Sequence, residues 1–116
     1  MAPRRDPPEA LQEAIRDRLS AIADPARAEP MRAYMKSEMP FYGVGAVPLR
    51  KACKEVFAEH PLADEAAWKQ AVFKLWREAR FREERYVALE LTGARAYRAY
   101  QDRDLLPMYE EMIVTG

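Results

Sequence analysis

Little in this sequence suggests a ready-made chemical device. It holds one cysteine, Cys53, one histidine, His60, and four glycines in 116 residues. A single thiol excludes an internal disulfide and any metal site built from a cysteine cluster, and it fits a reducing cytoplasm, where the protein is expected to reside. His60 stands before Pro61 with no serine or aspartate placed near it by spacing, so no catalytic triad is read and His60 is expected to close a helix. No apolar run approaches the roughly 20 residues that cross a membrane. The opening Met1-Ala2-Pro3-Arg4-Arg5-Asp6-Pro7-Pro8 has no hydrophobic segment behind its arginines. It is therefore not a secretory signal, and residues 1–7 are expected to form a disordered lead-in. Net charge is missing as well: 19 basic and 19 acidic side chains cancel. The overall field gives no long-range pull towards nucleic acid, and composition alone does not suggest it; only a local basic patch would.

What is present is material for an ordered core, with 49% apolar and 33% charged residues, and nine prolines that stiffen the connections. Residues 8–116 read as one unit of six helices. The first spans about Pro8 to Ala23, with Leu11, Ile15, Leu19 and Ile22 on one stripe. Asp24-Pro25 ends it. The second has Pro30 in its first turn and Met31, Tyr34 and Met35 on one side. The third, from about Val47 to His60, buries Leu49, Cys53, Val56 and Phe57, while Arg50, Lys51 and Lys54 lie off that stripe. The fourth is capped by Asp64 and carries the clearest stripe, Trp68, Val72, Leu75, Trp76 and Ala79, so both tryptophans are expected in the core. The fifth runs from Arg82 to Tyr97 with apolar residues on more than one face. The last is capped by Asp104, with Pro107 in its first turn. No period-two strand pattern occurs, so the fold class is all-α, and six helices joined by short elbows suggest three antiparallel pairs.

The elbow between helices two and three is the most informative stretch. Asp24-Pro25-Ala26-Arg27-Ala28-Glu29-Pro30-Met31-Arg32-Ala33-Tyr34-Met35-Lys36 runs into Pro40-Phe41-Tyr42-Gly43-Val44-Gly45-Ala46-Val47-Pro48-Leu49-Arg50-Lys51. Glycine reaches backbone conformations closed to other residues and proline pre-sets a first helical turn, so this elbow should be fixed. Its wording resembles the DNA alkylation repair family, the HEAT-like-repeat alkylpurine DNA glycosylases, whose members share an "AEPM…YMK" helix, a "PF.G…P.R" elbow and a basic helix. Leu75-Trp76, Arg80-Phe81-Arg82-Glu83-Glu84-Arg85 and Tyr86-Val87-Ala88-Leu89 resemble the family's "LW…REE…A" helix pair. Met112-Ile113-Val114-Thr115-Gly116 resembles the end of its sixth helix. The resemblance covers about Leu11 to Gly116.

The resemblance implies a HEAT-like stack that acts on duplex DNA and excises cationic N3- or N7-alkylated purines, with neither metal nor organic cofactor. It also implies that the catalytic Trp-Trp-Asp element lies beyond Gly116. The chain is therefore expected to be the N-terminal half of the enzyme, truncated before the catalytic segment and inactive alone, with no catalytic residue of its own. The alternative is a non-catalytic helical-repeat scaffold that binds DNA or protein. Tyr34 stands where the family's DNA-facing tyrosine stands; packing beside Met31 and Met35 is its competing role. Arg50, Lys51 and Lys54, at the positive end of a helix dipole, suit a phosphate, although Glu55 and Glu59 soften the patch. Arg77, Arg80, Arg82 and Arg85 are interleaved with Glu78, Glu83 and Glu84, which reads as solvated ion pairing of little energetic weight. Cys53 is expected to be buried and inert. A fourth pair left off would uncover Leu105, Met112 and Ile113, and the last helix is expected to self-associate through that face.

Overall fold

The computed structural model describes residues 6–101 and 106–115. Those residues form α1 (Pro7–Ala21), α2 (Pro25–Tyr34), α3 (Ala46–Glu59), α4 (Glu65–Arg77), α5 (Arg82–Thr92) and α6 (Leu106–Thr115), with a 3-10 segment at Arg95–Tyr100. Among the described residues there is no strand, and the fold is all-α. Aspartates start three of the helices, each side chain taking one of the amide protons that a first turn leaves unbonded. Asp6 accepts from Glu9 N at 2.9 Å, Asp24 from Ala26 N at 3.0 Å and Asp64 from Ala67 N at 2.8 Å. The lead-in expected over residues 1–7 falls mostly on 1–5, outside the described residues, as does the expected Asp104 cap.

The core is drawn mainly from four helices. Leu11, Ile15 and Leu19 of α1 meet Leu49, Cys53 and Val56 of α3, Trp68, Val72, Leu75 and Trp76 of α4, and Val87, Ala88 and Leu91 of α5. α4 packs on α1 and α5, and α3 packs on the same two helices from the other side. Burying each of these aliphatic side chains stabilises the fold by about 1.5–3 kcal/mol. Two buried aromatic tips are satisfied: the Trp68 indole donates to Leu91 O at 3.1 Å, and Leu62 N donates to the Tyr97 hydroxyl at 2.9 Å. Both tryptophans are core residues, as the stripe on α4 predicts.

Several expectations change. Helix α2 runs from Pro25, because Asp24 supplies a cap and Pro25 the first-turn geometry; Pro30, expected in the first turn, sits inside the helix, where its missing N–H leaves the carbonyl of exposed Ala26 to solvent. Helix α5 stops at Thr92, not at Tyr97: Gly93 closes it, and the chain tightens into the 3-10 segment. Ile22, expected on the α1 stripe, is the C-cap and is 40% exposed. Met112, expected to be uncovered, is buried with Met108 against the core, while Ile113 and Val114 are exposed on the far side of α6. Leu105 lies outside the described residues.

Cys53 is buried, and desolvation, followed by the charge of Glu90, pushes its thiol up to about 12. Its thiolate is therefore suppressed at every pH at which the fold is ordinarily handled. A colourless-to-yellow disulfide reagent at pH 8 should label Cys53 only after denaturant is added. Rapid labelling of the native chain would show that α3 does not pack as described.

Candidate functional site

The site is built on the elbow between α2 and α3, and the elbow is built on one buried carboxylate. Glu83, in the first turn of α5, has no exposed surface. Its Oε1 accepts from Tyr42 N at 2.9 Å, and its Oε2 accepts from Gly43 N at 2.9 Å and Val44 N at 3.0 Å. Consecutive amides converging in this way make an anion-binding nest, here filled by the protein's own side chain. Gly43 makes the nest possible: its φ is +89°, and a Cβ there would lie 2.0 Å from the Asp24 carbonyl oxygen. Asp24 N in turn donates to Tyr42 O at 2.9 Å, which fastens the start of α2 to the elbow.

Glu84, equally buried, turns to a second set of partners. It accepts from Arg16 Nε of α1 at 2.9 Å and from the Tyr42 hydroxyl at 3.0 Å. Burial, and then the Glu84 charge, raise the Tyr42 phenol above its ordinary value, so it stays a donor. Its ring stacks on Phe81 with centroids 4.0 Å apart. Glu83 and Glu84 are thus not the solvated ion-pairing residues expected from their arginine-rich surroundings. They are the internal fastening of the elbow. Arg77 does form a surface pair, with Glu111 of α6, while the guanidinium of Arg82 lies 5.8 Å from the Tyr86 ring centroid and that of Arg85 4.8 Å from the Trp76 ring centroid.

On the outside of this fastening α2 presents an unusual surface, since none of its side chains is fully buried. Tyr34 is 85% exposed, which excludes the packed role weighed for it. It borders a cleft of about 710 Å³ whose walls include Met31, Phe41, Leu49, Tyr86 and Arg50. Val47, Arg50, Lys51 and Lys54 are all exposed and follow one face of α3. Arg50 and Tyr34 therefore share one cleft, and Lys51 and Lys54 continue from Arg50 along the helix. Glu55 and Glu59 do not blunt these cations as expected: Arg18 of α1 engages them at 2.7 and 3.7 Å.

Sequence reasoning missed Arg27. Its guanidinium lies 3.7 Å from where a Cβ on Gly45 would stand, at the start of α3. That helix has no side-chain cap and no acid in its first turn, so neither offsets this added positive charge. Arg27, Arg50, Lys51 and Lys54 form no ion pair with any described residue. The readable signal was indirect: Gly45, with neither cap nor acid after it, marks a helix start open to an anion. The end of α2 is also specialised. Lys36 N donates to Ala33 O and Ser37 N to Arg32 O, each at 3.1 Å, a double closure that usually places glycine where Lys36 stands at φ +51°. Among the described residues no cluster of histidine, cysteine or carboxylate groups could hold a metal, and no helix is long and apolar enough to cross a membrane.

Residues 15–116 match the sequence model of the DNA alkylation repair enzyme family, and the chain belongs to that family. Among curated proteins none matches it.

The Glu83 nest gives a sharp stability prediction. Glu83→Ala leaves the Tyr42, Gly43 and Val44 amides buried without an acceptor, and each such donor costs about 1–3 kcal/mol. Chemical denaturation should register a loss of at least about 3 kcal/mol. A loss below about 1 kcal/mol would mean that the elbow does not depend on this carboxylate.

Proposed function

We propose that this member of the DNA alkylation repair family binds duplex DNA across the elbow face and serves as the gripping half of an alkylpurine DNA glycosylase with a HEAT-like architecture. One observation carries the reading: a tyrosine ring held almost wholly in solvent beside an arginine, at the mouth of a cleft, next to cations that pair with no described residue. An exposed aromatic can lie against a sugar or base. Arg50, Lys51, Lys54 and Arg27, with the open start of α3, suit backbone phosphates, which carry most of the affinity in such complexes.

The chemistry follows from the lesion. A purine alkylated at N3 or N7 carries a positive charge on its ring and is already a good leaving group, so cleavage of its bond to the sugar requires only modest further stabilisation of the developing sugar cation. A surface that holds the backbone on both sides of such a nucleotide needs no metal and no organic cofactor for that step. By the resemblance, the groups that steady the sugar lie beyond Gly116. This chain then supplies the hold, with Tyr34 nearest the lesion and the α3 cations on the flanking phosphates. The proposed unit is residues 8–116.

A salt titration tests the reading. Binding of a fluorescent duplex by the wild-type chain should weaken steeply with sodium chloride, and Arg50→Ala, Lys51→Ala and Lys54→Ala together should lower the slope of log K against log salt by about 0.9 for each phosphate that is no longer neutralised. Tyr34→Ala should weaken binding at all salt concentrations, with the slope kept. A triple variant with unaltered affinity and slope would overturn the phosphate assignment. Release of a methylated purine by a longer form carrying the catalytic element, and not by one that binds equally well without it, would separate the glycosylase from a pure binder.

A further inference from the structure

We propose that the cleft beside Tyr34 seats one nucleobase turned out of the duplex, on the strand whose phosphate lies against Arg50. The inference rests on the proposal that the elbow face binds DNA and deepens it, by naming how one nucleotide is held there; neither the motifs nor the family membership assigns this.

The cleft, of about 710 Å³, has the size of a small-ligand site and opens between three helices. Met31 and Tyr34 line it from α2, Leu49 and Arg50 from α3, and Tyr86 and Glu90 from α5. On its elbow side the Phe41 ring meets the Tyr86 ring edge to face, with centroids 6.3 Å apart, so the lining includes an aromatic corner. Tyr34, Met35 and Leu89 border the same cleft and are exposed. Apolar groups gathered in water around one concavity mark a surface that something covers.

Charge decides what covers it. Arg50 and Glu90 are the two charged residues in the lining, and neither forms an ion pair with a described residue. A purely apolar occupant would strip water from both charges and answer neither. An acidic peptide answers Arg50 but sets its carboxylates against Glu90. A nucleotide answers both, because its negative charge and its N–H donors lie at opposite ends. The flat base offers ring faces to the aromatic and methionine walls, and its edge offers amino protons to the Glu90 carboxylate. Its phosphate stays outside on Arg50, and the strand continues along the exposed Lys51 and Lys54 of the same helix. Turning the base out costs pairing and stacking, and contact with the walls offsets that cost; the cost is least for a base that has no partner.

Three fluorescent duplexes with the same flanking sequence test the seat: one fully paired, one with an extra unpaired adenosine, and one with an extra abasic nucleotide at that position. The last two share an interruption of the helix and differ in the base. The wild-type chain should bind the unpaired adenosine about tenfold more tightly than either of the others. An unpaired thymidine, which has no amino group, should gain less, and Glu90→Leu should erase the difference between adenosine and thymidine. Leu89→Trp, which narrows the mouth from an exposed position on α5, should abolish the preference for the unpaired adenosine. Equal affinity for the adenosine and abasic duplexes would overturn the seat, since the chain would then be reading flexibility and not a base. A tenfold preference that survives Leu89→Trp would overturn it as well, by putting the base elsewhere. Either result leaves the elbow reading standing while wild-type binding weakens steeply with salt; absence of salt-dependent duplex binding by the wild-type chain would overturn both.

Discussion

A single carboxylate governs the geometry of the functional face. Glu83 sits in the first turn of α5 and binds three successive amides of a distant elbow. Removing a carboxylate from water costs several kcal/mol, but three charge-assisted hydrogen bonds offset that cost, and the amino end of α5 favours a negative charge at the same place. The result is more directional than apolar packing would be. A greasy contact tolerates sliding by an ångström or so, whereas three amides aimed at two oxygens fix both the position and the rotation of the elbow. Helix α2 needs this, since it buries no side chain completely and has no core of its own. It is held at its start, where Asp24 N donates to Tyr42 O of the elbow, while the double closure around Lys36 finishes the other end on the helix's own carbonyls.

The neighbouring residue adds a second direction. Successive positions on a helix point about 100° apart, so Glu83 and Glu84 can serve different elements from one turn. Glu84 reaches Arg16 of α1 and the hydroxyl of Tyr42, and Arg16 also donates to the Glu78 carbonyl at the end of α4. Elbow, α1, α4 and α5 are thereby tied at one point. Gly43 is the residue that permits the whole arrangement, because any side chain there collides with the backbone of Asp24. Phe41 and Val44, on the elbow that the knot fixes, line the cleft that carries Tyr34 and Arg50, so buried charge helps to set the shape of that surface.

This division explains what the sequence discloses and what it conceals. Apolar stripes with helical spacing identify the core well: Leu11, Ile15 and Leu19, Cys53 and Val56, and the two tryptophans of α4 all fall where their periodicity puts them. The aspartate cap marks the start of α4, whereas Asp24 reads only as the end of α1 and its capping of α2 emerges from the fold. The buried glutamates are illegible for a physical reason. The partners of Glu83 are backbone amides some forty residues earlier, which leave no mark in the sequence, and those of Glu84, Arg16 and the Tyr42 hydroxyl, are brought to it only by the fold. In a window rich in arginine, two glutamates look like surface pairing. The end of α5 is hidden similarly, since the aromatic residues Tyr97 and Tyr100 continue an apolar pattern but pack on Trp68 from a different backbone conformation. The elbow is legible as fixed through Gly43 and the prolines, and Tyr34 and the α3 cations as candidates; their sharing of one cleft is a product of the tertiary fold.

Neutral net charge and an anion-binding role are compatible once the charges are sorted by their partners. Arg16, Arg18, Arg32, Lys69, Lys74 and Arg77 are each engaged by a carboxylate of the same chain. These pairs cancel locally and contribute little field a Debye length away, about 10 Å at 0.1 M salt. Arg27, Arg50, Lys51 and Lys54 have no carboxylate partner among the described residues. The net figure of zero thus averages a compensated body with a basic face. On the proposed reading, such a molecule is not drawn to DNA from afar, because its far field vanishes. It holds DNA at contact range, where released counterions supply the free energy and where the orientation of each cation, fixed by the knot around Glu83, decides which phosphates it can reach.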